Sequence, residues 1–149
     1  MSDPRAETRT TTRRRVLTIA SAVGAPAYSE TFPRLPESVV PARNLVRAAL
    51  DTWHLQEFCY SATLIVDELV ANAAQHARAK SIRVTITRTA ERTVRVAVVD
   101  KDHKLPTPHE AGPDEEHGRG LTIVAGLSAE WGVDPLRWGK RVWADVEDV

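Results

Sequence analysis

The run Leu64-Ile65-Val66-Asp67-Glu68-Leu69-Val70-Ala71-Asn72-Ala73-Ala74-Gln75-His76-Ala77 leaves the chain few folding choices. It is rich in Ala, Leu and Val and holds no Gly or Pro, a composition that favours helix. Glu68, Asn72 and His76 then fall at i, i+4 and i+8 and stack along one face. Ile65, Leu69 and Ala73 occupy a neighbouring face that can be buried. A carboxylate, a carboxamide oxygen and an imidazole in one column can serve as base, metal ligand and phosphate neighbour. The same column can equally be the solvent face of a core helix. The helix alone does not decide between the two.

What surrounds this helix reads as mixed α and β. Tyr28 to Leu35, with Phe32 inside and prolines close by, reads as an edge strand. Ser38 can cap a helix in which Val39, Ala42, Leu45, Val46, Ala49 and Leu50 recur at helical spacing. Pro41 falls in its first turn, where a missing N–H does no harm. Ser81 to Thr87 and Thr93 to Val99 alternate with period two and are rich in β-branched residues. With Ala90 and Glu91 between them, they form an antiparallel hairpin. Leu121 to Leu127 looks helical. Ser128 to Val133 and Arg141 to Val146 read as closing strands, with residues 135–140 turning between them. The fold class this implies is α+β: a two-layer sandwich, its mixed and mostly antiparallel sheet covered on one face by helices.

The chain has 149 residues, 42% apolar and 27% charged, enough for one core and one domain. Its formal net charge is zero, so no global field draws it to nucleic acid or to a membrane. No run approaches the roughly 18 apolar residues of a membrane span. One cysteine, Cys59, excludes an internal disulfide and suits a reducing compartment, so a cytoplasmic location is expected. Residues 1–26 are rich in Thr, Arg, Ala and Ser and read as a flexible tail, with the domain at 27–149. Arg13-Arg14-Arg15, the apolar stretch Val16 to Val23 and Ala25-Pro26-Ala27 outline an export signal. Thr18 and Ser21 interrupt that apolar stretch. A solvated tail, or a loose contact for an acidic partner, is the reading preferred.

Two further features carry chemistry. Asp100 directly follows the buried run Val96 to Val99. Such an aspartate can form a turn, or can accept a hydrogen bond from an amino group deep in a pocket. Gly118-Arg119-Gly120-Leu121 is expected to open a helix. There, glycines would let backbone approach a phosphate, free N–H groups would bind anions, and Arg119 would add a cation. Between them, residues 101–117 hold Pro106, Pro108 and Pro113 and break all regularity. A loop of that length in a compact domain is functional or disordered.

The order of these motifs resembles the Bergerat-type (GHKL) ATP-binding fold shared by DNA gyrase, histidine kinases and bacterial anti-sigma serine kinases. The resemblance runs from about Phe32 to the C-terminus. Glu68 to Ala77 matches the family's N box, and Val98-Val99-Asp100 through Pro106 resembles the next box. Gly118-Arg119-Gly120-Leu121 through Trp131-Gly132, then Gly139-Lys140-Arg141-Val142-Trp143-Ala144, looks most like the stand-alone anti-sigma factor serine/threonine kinase subgroup.

The resemblance implies ATP and Mg2+ as ligands. It makes Glu68 the general base, Asn72 the Mg2+ ligand and Asp100 the acceptor for the adenine amino group. It places Gly118, Arg119, Gly120 and Leu121 at the phosphates, with His76 and Arg78 flanking them, and makes residues 101–117 a lid. His76 can also be a packed histidine. The implied partners are a sigma factor held inactive and an anti-anti-sigma (STAS-type) protein phosphorylated on serine, and related regulators often pair as homodimers. Only about 30 residues precede the domain, so a histidine-bearing helical hairpin is not expected, and with no transducer domain following, neither is a gyrase-like machine. One departure stands out. The family's middle box usually reads Asp-x-Gly-x-Gly, whereas this chain has Asp100-Lys101-Asp102-His103-Lys104. A module that binds nucleotide and a protein partner without phosphotransfer is therefore the alternative, and a slow ATPase a third reading.

Overall fold

Among the described residues seven strands make one sheet. The computed structural model describes residues 9–10, 15–20, 24–76, 80–100 and 115–147, with side chains described over 24–75, 80–100 and 121–147. In chain order the strands are β1 (Arg9–Thr10), β2 (Arg15–Ala20), β3 (Pro26–Pro33), β4 (Ser81–Ala90), β5 (Thr93–Asp100), β6 (Glu130–Leu136) and β7 (Gly139–Glu147). The helices are α1 (Val39–Thr52), α2 (Cys59–His76) and α3 (Glu115–Leu127). The spatial order is β1-β2-β3-β4-β5-β7-β6.

Every strand pairing described is antiparallel, so the sheet is not mixed as expected. The reason lies in the connections: β4 to β5 and β6 to β7 turn over two residues each, and hairpins of that length can only be antiparallel.

The α+β sandwich expected from sequence is otherwise present. Ile82, Val84 and Ile86 of β4, Val94, Val96 and Val98 of β5, and Val142, Ala144 and Val146 of β7 form parallel rows of one buried cluster. Above them lie Ala42, Leu45, Val46, Ala49 and Leu50 of α1, then Ala62, Ile65, Val66, Leu69, Val70 and Ala73 of α2. Each large side chain buried this way contributes about 1.5–3 kcal/mol.

Four local expectations are corrected. The strand at Pro26–Pro33 is not an edge, because β2 pairs along its outer side from Val16↔Glu30 to Ala20↔Pro26. Arg15–Ala20 lies in the stretch expected to be a tail, and its β-branched Val16, Thr18 and Ile19 suit a strand. Ser38 stands at the N-cap position of α1, but its side chain makes no capping bond. It ends a 3-10 turn over Pro36–Ser38, and its hydroxyl donates to the Pro33 carbonyl at 2.6 Å. Finally, α3 begins at Glu115, so Gly118 and Gly120 lie inside the helix and not at its start. Acidic side chains suit a helix N-terminus, and Glu115 and Glu116 supply them in the first turn.

Candidate functional site

Among the described candidate residues, Asp100 is the buried one. It ends β5, 5% exposed, and stands opposite Ile82 on one side and Lys140 on the other. Alternation along β5 puts it on the same face as Val94, Val96 and Val98, the face that the helices cover. A carboxylate so placed has little water to accept from, and it is engaged within the protein.

Above that end of the sheet lies the C-terminal half of α2. Only residues 77–80 separate His76 from β4, whose Ile82 pairs with Asp100. Arg34 fixes this end from the other side. Its N–H donates to the Lys80 carbonyl at 2.9 Å and its guanidinium to the Ala74 carbonyl at 2.9 Å. The last carbonyls of a helix have no partner within it, so this contact satisfies one and anchors the end that carries Asn72.

Glu68 and Asn72 are both half-buried. Helical geometry turns them about 100° or more from Asp67. Asp67 faces α1, where Arg43 grips it with two bonds, Nε to Oδ1 at 3.1 Å and Nη2 to Oδ2 at 2.6 Å. The paired carboxylate holds the Arg43 guanidinium above its ordinary pKa, the hydrogen bond being the larger cause and the opposite charge the next. With α1 on the Asp67 flank, Glu68 and Asn72 border the core on the other flank of α2, and α3 also packs on α2. An acid and an amide thus share one flank of α2, a helix that packs on β5, the strand that ends in the buried Asp100.

The other expected residues are placed less fully. Leu121 packs partly buried against the core cluster. Gly118, Arg119 and Gly120 are in the first two turns of α3 by backbone, and the unpaired N–H groups of a helix are those of its first turn, which Gly120 has passed. His76 closes α2 by backbone, and its side chain lies outside the described residues. Arg78, Asp102 and the expected lid up to residue 114 also lie outside them.

The donor set fits Mg2+ with a nucleotide better than Mg2+ alone. No group of three His, Cys, Asp or Glu side chains capable of holding a metal occurs among the described residues. Mg2+ keeps several waters and is bound by one or two protein oxygens plus substrate phosphates, a role that one carboxamide oxygen can fill.

Sequence reading singled out neither Arg34 nor Arg43, and did not place Lys140 opposite Asp100. The first two are signalled only by three-dimensional pairing. Lys140 is signalled by a strand register that no local pattern reveals.

Comparison with known proteins now bears on the site. Residues 32–144 match the family profile described as histidine kinase-like ATPase domain. Among solved structures the chain is similar to the histidine kinase domain from Erythrobacter litoralis EL346 blue-light activated histidine kinase. That similarity is 27% identity over 62% of this chain and 45% of that one, with a TM-score of 0.43. The chain thus spans less than half the length of that structure. Comparison with characterised proteins finds no sequence match.

Proposed function

The chain belongs to the histidine kinase-like ATPase domain family, and from that premise we propose that it is an ATP-dependent serine/threonine protein kinase acting as an anti-sigma-type regulator. The observation that carries the proposal is the family match over residues 32–144, with Glu68 and Asn72 half-buried on one flank of α2 at the sheet end where Asp100 is buried. Adenine would enter with its amino group toward Asp100. An ionised carboxylate only accepts hydrogen bonds, which favours an amino group over the carbonyl that guanine presents there. Asn72 would be the protein ligand of Mg2+, which when bound neutralises phosphate charge. Glu68 would take the proton from a partner's serine hydroxyl as that oxygen attacks the γ-phosphorus and the β–γ bridging bond breaks. Arg119 and the glycines at 118 and 120 would lie toward the phosphates, with His76 and Arg78 beside them. The protein substrate would be an anti-anti-sigma (STAS-type) protein, and the regulated partner a sigma factor.

The test is transfer of labelled γ-phosphate to a serine of such a partner. Transfer should fall at least a hundredfold in Glu68→Gln while ATP binding survives. Absence of transfer to every such partner would remove the kinase claim. A second reading, nucleotide binding without transfer, is favoured by one observation: Asp102 and Lys104 occupy the positions where the family pattern has glycines. Calorimetry showing ATP bound with no turnover would select it.

A further inference from the structure

Asp100 has a cationic neighbour in the sheet. The register between β5 and β7 is unbroken from Thr93↔Glu147 to Asp100↔Lys140. Two rows inward from that pair, on the same face, Val98 stands opposite Val142, and both are buried in the core beneath the helices. Side chains alternate between faces with period two, so Asp100 and Lys140 continue that row on the helix-covered face. Directly opposed residues of an antiparallel pair have Cβ atoms about 4.5–5.5 Å apart. The row completed across the sheet reads Ile82, Asp100, Lys140, Pro135. Lys140 is half-buried there, where lysine is usually found on open surface. The four-residue tip that joins β6 to β7, Leu136 to Gly139, holds it at the end of the sheet that Asp100 occupies.

We infer that Lys140 is a second purine-reading residue, placed beside Asp100 so that the pair presents one acceptor and one donor to the adenine edge. The inference rests on the reading that Asp100 receives the adenine amino group. A carboxylate only accepts and an ammonium only donates. Adenine offers a complementary neighbouring pair on its ring edge, the N6 amino group as donor and N1 as acceptor. Guanine reverses both, with O6 as acceptor and N1–H as donor. A site built to hydrogen-bond a group discriminates strongly against an analogue that lacks it. The flexible four-carbon stem of Lys140 lets the ammonium head reach the ring from the strand.

The experiment is calorimetric titration of the full chain with Mg-ATP and with Mg-1-deaza-ATP, in which a C–H replaces N1. Wild type, Lys140→Met and Lys140→Arg are compared, with thermal unfolding as a check on folding. Wild type should bind 1-deaza-ATP about tenfold or more weaker than ATP, the scale of one hydrogen bond to a charged group. Lys140→Met should weaken ATP by a similar factor and leave 1-deaza-ATP nearly unchanged, and Lys140→Arg should retain most of the discrimination. Equal losses for both nucleotides in Lys140→Met would assign Lys140 to phosphates or to folding and overturn the inference, as would no loss for either. If Lys140→Met does not fold, a wild type that binds the two nucleotides within twofold overturns it alone. Wild type binding neither nucleotide would instead sink the reading of the whole site, an outcome distinct from wild type binding ATP with Lys140→Met unchanged.

Discussion

Replacing Gly132 by alanine should cost about 2 kcal/mol of stability, and the structure says why. Gly132 of β6 stands opposite Trp143 of β7 on the sheet face turned away from the helices. A Cβ added at Gly132 would meet the Trp143 ring at 2.9 Å from Cζ2, 3.0 Å from Cε2 and 3.1 Å from Nε1. The indole would have to move by about half an ångström to reach ordinary contact distance. It is not free to do so. The Arg95 guanidinium lies 3.8 Å over the ring centroid, and Arg95 is itself held by two bonds to Asp145, at 2.7 and 3.0 Å. Overpacking of this kind costs about 1–3 kcal/mol, and loosening the cation–π contact adds roughly 0.5 kcal/mol. At about 3 °C per kcal/mol for a chain of this size, the unfolding midpoint should fall by about 6 °C. Urea denaturation of Gly132→Ala, Trp143→Leu and the double variant measures the coupling. In the Trp143→Leu background the alanine should cost less than about 0.5 kcal/mol. An equal cost in both backgrounds, or a stabilising Gly132→Ala, would refute the packing argument.

Other predictions follow from the same geometry. His54 has φ 58°, in the left-handed region just past α1, so His54→Gly should stabilise by about 0.5–1 kcal/mol and His54→Val should destabilise, read by urea midpoints. Removing the Arg43–Asp67 tether with Arg43→Ala should lower the urea midpoint in the same assay, because Asp67 is left unpaired with its side chain only 20% exposed. The Arg141 guanidinium, by its hydrogen bond, holds the Asp134 carboxyl below the usual carboxylate range. A depressed folded-state pKa contributes stability above the unfolded value and loses it as pH falls through the folded one. Asp134→Asn should therefore lower stability at neutral pH by a few tenths of a kcal/mol, the pair being well exposed, and show no difference at strongly acid pH. A cost that persisted unchanged in acid would refute that assignment.

The period-two runs at Ser81–Ala90 and Thr93–Asp100 and the helical spacing through α1 and α2 were legible because one buried face dictates each pattern. The shared flank of Glu68 and Asn72 was legible for the same reason, since spacing along one helix fixes it. The role of Arg15–Ala20 was not, because its apolar residues suit an export signal as well as a strand, and only pairing with β3 decides. Ser38 has the composition of a cap, but its hydroxyl finds the Pro33 carbonyl instead. The start of α3 was misplaced because glycines at 118 and 120 suggest a boundary, while Glu115 and Glu116 begin the helix a turn earlier. That Lys140 stands opposite Asp100 follows only from strand register, a long-range property.

The account stands or falls on adenine nucleotide binding over Asp100. Thermal unfolding of the chain with Mg-ATP measures it most directly, in wild type and in Asp100→Leu. ATP held a hundredfold above its Kd should stabilise wild type by about 2.7 kcal/mol and should leave Asp100→Leu unshifted at the same concentration. A wild type whose midpoint does not move with millimolar Mg-ATP, or an Asp100→Leu variant that is stabilised as much as wild type, would contradict it.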